Sequence, residues 1–142
     1  MDAGLHILMD AYVHDESVFT AHRLQDLFET LTQALQMTAL GPCHVYQVPV
    51  DPLVLERVRQ TGVFEDEGGI TGVQVISTSH MTLHAWPLQK FFSLDTFSCK
   101  DFDFEAALTI IRDQMGVTGE NTLIVQRHKP VDGVTRVRYE DG

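Results

Sequence analysis

The sequence predicts an α+β fold: a two-layer sandwich in which two long helices lie on one face of a mostly antiparallel sheet. Three observations point there. Apolar residues alternate with period two in several short segments. Two longer segments switch to helical period, each with a single apolar stripe. Three strand-like segments follow one another between residues 70 and 99, with links too short for parallel crossovers. Two helices with one buried stripe each need one sheet face to cover, which is the two-layer solution. The 142 residues have the length of one domain, so 1–142 is expected to be a single unit.

The elements follow in order. In "LHILMDAYV" (5–13) Leu5, Ile7, Met9, Ala11 and Val13 share one face of a strand. Residues 17–37 are helical, with Val18, Ala21, Leu24, Leu27, Phe28, Leu31, Ala34 and Leu35 as the stripe, Asp15 or Ser17 as cap, and "LGP" (40–42) as the stop. "CHVYQVPV" (43–50) reads as a strand. "DPLVLERVRQTG" (51–62) is a compact helix: Asp51 caps it, Pro52 takes the first turn and Gly62 ends it. "EDEGG" (65–69) is a solvated turn, and strands are expected at 70–77, 80–86 and 91–99. Phe104, Leu108, Ile111 and Met115 mark the second long helix, capped by Asp101 or Asp103 and closed by Gly116. "NTLIVQRH" (121–128) is a late strand, and "VDGVTRVRY" (131–139) suggests a hairpin around Asp132-Gly133. With both long helices on one face, the other face calls for a partner, and a homodimer would supply it.

Composition narrows the function classes. Twenty acidic residues against ten basic give a net charge of −10, which repels a phosphate backbone and argues against nucleic acid. The acidity mildly favours small cationic ligands, although solubility alone accounts for it. No apolar run approaches the ~20 residues that span a bilayer. The first residues lack a basic stretch, and Asp10 interrupts their apolar run, so no signal peptide is expected and the cytoplasm is the default. Cys43 and Cys99 form no CxxC pair, and each reads as a small buried hydrophobe.

The chemistry-bearing residues converge on 71–99. Thr71, Ser77, Thr78 and Ser79 carry hydroxyls, His80 and His84 are bases, and Cys99 is a proton donor or nucleophile. Serine near histidine permits acyl chemistry, because a base raises the reactivity of a hydroxyl. Many strands carry such a pair, so on its own the signal is weak. His80 and His84 are four apart but lack the intervening glutamate and helical setting of a zinc motif, so no metal is expected. His6, His14, His22, His44 and His128 are scattered and read as surface or satisfied structural residues. In a flat strand Ser79 and His84, five apart, point to opposite faces. Joint action at one centre therefore requires a bend or bulge between them.

"GITGVQVISTSHMTLHAWP" (69–87), "LDTFSC" (94–99) and "GLHILMDAY" (4–12) together resemble the S-adenosylmethionine decarboxylase proenzymes of the small bacterial and archaeal kind, over about residues 4–129. The resemblance implies that the Ser79 hydroxyl attacks the Thr78 carbonyl and turns the amide into an ester. Elimination then cleaves the chain into 1–78 and 79–142, leaving a pyruvoyl group, the self-made cofactor, at residue 79. That ketone forms a Schiff base with a substrate amine and acts as the electron sink of a decarboxylase. By the same resemblance His84 is the processing histidine that assists the elimination, Cys99 reprotonates the substrate, and Thr71 stands where the family has a processing serine. The pathway implied is polyamine, and specifically spermidine, biosynthesis.

Two positions depart from the family. Thr78 replaces the glutamate before the serine. Leu88 replaces the glutamate after the Trp-Pro that holds the substrate's ribose hydroxyls. Leaving such hydroxyls unpaired costs roughly 1–3 kcal/mol per group. Leu88 thus favours a diverged substrate, arginine or ornithine, on the same machinery, whereas Thr78 raises the alternative of an uncleaved, non-catalytic paralogue that binds a ligand or partner. The 51–69 segment is longer than the family's usual link, and a reshaped pocket rim and a harmless insertion are equally good readings of it.

Overall fold

The computed structural model describes residues 2–63 and 65–134. Its elements are β1 (Asp2–Val13), α1 (Ala21–Ala34), β2 (His44–Val48), α2 (Pro52–Thr61), β3 (Gly69–Ile76), β4 (Ser79–Trp86), β5 (Phe91–Ser98), α3 (Phe104–Met115) and β6 (Val117–His128). The strands form one antiparallel sheet in the order β2-β3-β4-β5-β1-β6. The expected hairpin at 131–139 extends beyond the described residues.

Alternation builds the core. Ile7, Met9, Ala11 and Val13 of β1, Met81, Leu83 and Ala85 of β4, and Phe92 and Leu94 of β5 are buried on one face. Leu24, Leu27, Phe28 and Leu31 of α1 and Ala107, Leu108, Ile111 and Met115 of α3 close over them in one cluster. Burying a large apolar side chain contributes about 1.5–3 kcal/mol, so this layer holds the sheet in register. Gly72 lets α1 come close: a Cβ there would meet Leu24 and Phe28 at 3.0 Å.

Local signals place most boundaries. Asp51 accepts from the amides of Leu53 and Val54, Pro52 opens α2, and Gly62 closes it in the left-handed conformation at φ 70°. Asp103 caps α3 and Gly116 ends it at φ 66°. The first helix differs from expectation. Asp15 caps a separate 3-10 turn at Glu16–Val18 by accepting from the Ser17 amide. Thr20 caps α1 instead, accepting from the Arg23 amide. The helix then stops at Ala34, because Gln36 takes φ 55°. Strand β6 starts four residues earlier than expected, because the twelve-residue β1 offers partners as far as Val13↔Val117. Among the described residues no helix is long and apolar enough to cross a membrane.

The second sheet face is partly bare. It carries His6, Tyr12, Thr71, Val75, His80, His84, Trp86, Phe91 and Phe97, the residues that alternate with the buried set. Tyr12 and Val75 are exposed large hydrophobic residues.

Candidate active site

The β3–β4 connection is a two-residue hairpin. Ile76 pairs with Ser79, so Ser77 and Thr78 form the turn. Two-residue hairpins favour positive φ within the turn. Here neither turn residue has it, and Ser79 does, at 154°. That value is rare outside glycine and costs on the order of 1–3 kcal/mol. The tip is pinned on both sides. The Ser77 amide donates to the Thr38 carbonyl at 2.9 Å, and the Cys99 amide donates to the Thr78 carbonyl at 3.0 Å.

Strand β5 supplies the other side of this centre. Ser98 is opposite Ser79 in the ladder. Its hydroxyl, in a residue only 2% exposed, donates to the Thr78 hydroxyl at 2.8 Å and accepts from the Lys100 amide at 3.2 Å. Cys99 is exposed and unpaired as a thiol. Ser79 Oγ lies 2.9 Å from Nδ1 of His80. The carbonyl carbon of Thr78, its own hydroxyl, the Ser79 hydroxyl and an imidazole nitrogen of His80 thus meet at the end of one hairpin. An oxygen held by a backbone N–H is suited to accumulate negative charge when its carbonyl is attacked.

A second cluster sits farther along the same strands. Thr71 and His84 are cross-strand partners, with Thr71 Oγ1 2.6 Å from Nδ1 of His84. The His84 ring meets the edge of Trp86 with centroids 4.4 Å apart, and Trp86 packs on Phe91 at 5.4 Å.

The expected bulge between Ser79 and His84 is absent. The β4 ladder runs without a register shift from Ser79 to Ala85 against β3 and from Ser79 to Trp86 against β5. At about 3.3 Å per residue, five residues separate the two Cα atoms by roughly 16 Å. The distortion lies in the backbone of Ser79 itself, because the hairpin closure ends there, and within one chain His84 does not reach the serine. Leu88 is farther still, on the 3-10 turn Pro87–Gln89 beyond the end of β4, and is 38% exposed.

The 51–69 segment contributes at that far end. Glu67 is 2% exposed and its carboxylate accepts from the Gln89 side-chain amide. Together with Val58, Gly62, Trp86 and Phe91 they line a cleft of about 350 Å³. Neither Glu67 nor Ser98 was singled out by sequence reasoning. The first reads as part of a solvated turn, and the second gains its role only through the strand register. The two cysteines are far from each other in environment: burial pushes the Cys43 thiol up, while the Val73 backbone opposes this.

Known proteins resemble this chain in sequence and in fold. The family model described as S-adenosylmethionine decarboxylase matches residues 5–128. An S-adenosylmethionine decarboxylase proenzyme of Prochlorococcus marinus (strain MIT 9313) is 31% identical over 77 residues, 54% of this chain and 61% of the relative. One from Hydrogenobaculum sp. (strain Y04AAS1) is 28% identical over 99 residues, 69% of this chain and 60% of the relative. The matched part of the chain thus spans about three-fifths of the length of these relatives. The crystal structure of the adenosylmethionine decarboxylase from Aquifex aeolicus VF5 superposes with a TM-score of 0.68 at 22% identity, covering 95% of this chain and 98% of that one. At that identity the likeness speaks for the fold. With the family model spanning β1 to the end of β6, the chain belongs to the S-adenosylmethionine decarboxylase family.

Proposed function

We propose that the chain is the proenzyme of a pyruvoyl-dependent decarboxylase, a carboxy-lyase of polyamine and spermidine biosynthesis in the cytoplasm, which cleaves itself between Thr78 and Ser79. The observation that carries this reading is the hairpin end: a strained Ser79 follows a carbonyl held by the Cys99 amide. The residues present fit a group made from residue 79. The ladder with Ser98 holds its backbone, and Cys99 is adjacent and exposed, as a donor of a proton to substrate must be. When formed, the pyruvoyl ketone supplies an electron sink for loss of carbon dioxide from an amino-acid substrate. Intact-protein mass spectrometry tests the reading: cleavage replaces the 16.0 kDa species with chains 1–78 and 79–142, and Ser79→Ala abolishes it. A chain that stays whole under native conditions refutes it and favours the uncleaved paralogue.

Processing by His84 and Thr71 requires a second copy. The separation of roughly 16 Å along β4 puts His84 out of reach of its own Ser79. A two-fold packing of bare sheet faces with their strands opposed would lay the Ser79 end of one copy against the His84–Leu88 end of the other, since such an interface is self-complementary. The exposed Tyr12 and Val75 on this face support a homodimer. Mixing Ser79→Ala with His84→Ala chains tests the arrangement: restored cleavage in the His84 variant supports it, and none refutes it.

For the substrate, Leu88 supports a free cationic amino acid, arginine or ornithine, over S-adenosylmethionine. The net charge of −10 suits such a substrate and disfavours nucleic acid. Release of labelled carbon dioxide from each of the three decides between them.

A further inference from the structure

We propose that His80 is the catalytic base that moves the Ser79 hydroxyl proton during chain cleavage, an inference that rests on reading Ser79 as the self-processing residue. The resemblance assigns His80 nothing, and it assigns His84 the processing role. The geometry separates the two histidines. His80 Nδ1 is 2.9 Å from Ser79 Oγ, within the 2.6–3.2 Å reach of a general base. His84 Nδ1 is already engaged by Thr71 at 2.6 Å.

The His80 ring is held in place. It lies between Val75 of β3 and Phe97 of β5 in the ladder, with its ring 6.1 Å from that of Phe97. Phe97 is itself fixed by the Arg127 guanidinium, 4.3 Å above its ring, and by the His6 ring at 5.6 Å. His6 is bonded to Asp95 at 3.1 Å. Besides His80, the titratable or charged groups linked to Phe97 through these contacts are His6 of β1, Arg127 of β6 and, through His6, Asp95 of β5, while the ladder partner of His80 on β3 is the apolar Val75.

The step balances without any outside reagent. With the proton on Nε2, the bare Nδ1 of His80 accepts a hydrogen bond from the serine hydroxyl. As Ser79 Oγ bonds to the Thr78 carbonyl carbon, its proton passes to Nδ1. The Cys99 amide, 3.0 Å from the Thr78 oxygen, faces the charge that develops there. As the bond from that carbon to the Ser79 nitrogen breaks, the proton passes from His80 to the nitrogen. The products are an ester between Thr78 and Ser79 Oγ and a free amine on Ser79, with no net proton gained or lost.

The test uses the full chain as wild type, His84→Ala, and His84→Ala combined with His80→Gln or His80→Asn. Hydroxylamine captures the ester as a Thr78 hydroxamate, read by mass. His84→Ala is expected to accumulate the ester. Adding either His80 substitution is expected to slow its formation by roughly 100-fold, with thermal unfolding midpoints unchanged and partial rescue by free imidazole. His80→Asn keeps a short acceptor near the hydroxyl but no base, so a merely structural role predicts ester formation there. Ester formation at an undiminished rate in either combined variant, in a protein whose wild type cleaves, overturns the role of His80 alone. A wild type that neither cleaves nor yields hydroxamate overturns the decarboxylase reading and His80 with it.

Discussion

Replacing Ser79 by glycine should give a more stable protein than replacing it by alanine. Both variants lack the Ser79 hydroxyl, so on the proposed function both are expected to stay as one chain, and both lose the hydrogen bond to His80, so these effects cancel. What differs is the backbone. At φ 154° an alanine inherits the strain of the serine, on the order of 1–3 kcal/mol, while glycine does not. In an ordinary strand the comparison runs the other way, glycine being roughly 0.5–1 kcal/mol less stable than alanine through its greater loss of entropy. Strain outweighs that loss here, and glycine should lead by about 1 kcal/mol. With a urea slope of about 2 kcal/mol/M for a chain of this size, the midpoints should differ by roughly 0.5 M. Equilibrium urea unfolding of the two variants at one protein concentration measures this. If the alanine variant is the more stable by 0.5 kcal/mol or more, Ser79 is unstrained, and the hairpin stores nothing for the cleavage to release.

Other expectations follow from neighbouring contacts. Gly4→Ala should be severely destabilising and should also slow cleavage: a Cβ at φ 125° would collide with the Ser98 carbonyl oxygen and stand 2.9 Å from Cys99 Cα, displacing the strand that holds Thr78. Thermal unfolding and the fragment ratio report it. Thr96→Val should be neutral or stabilising by up to ~1 kcal/mol, since the Thr96 hydroxyl is buried without a partner among the described residues and a methyl of the same shape needs none; loss of stability in denaturant would show a partner for that hydroxyl. Iodoacetamide should modify Cys99 before Cys43. Burial raises the Cys43 thiol, so less of it is thiolate at a given pH, and its labelling should become appreciable only as pH rises. Peptide mapping of partially labelled protein gives the order.

The sequence by itself determined the fold class, the strand faces and the limits of α2 and α3. These rest on interactions that a few adjacent residues complete among themselves. Asp103 and Gly116 bracket α3 wherever it packs, and Asp51, Pro52 and Gly62 do the same for α2. The start of α1 was less legible because two side chains, Asp15 and Thr20, each had a turn to cap. The family was also legible, from residue types at fixed spacing, and so were the strands on either side of Thr78-Ser79, although the turn between them falls at Ser77-Thr78 and Ser79 already belongs to β4. Only the tertiary structure decided which of those residues meet. A period of two assigns a residue to a face but leaves its cross-strand partner open. Ser98 reaches Thr78, and Thr71 reaches His84, through register alone. The same register removed the bulge that joint action of Ser79 and His84 in one chain required. It kept β4 straight because Met81, Leu83 and Ala85 all need the core face, and a one-residue slip would turn them to the other side.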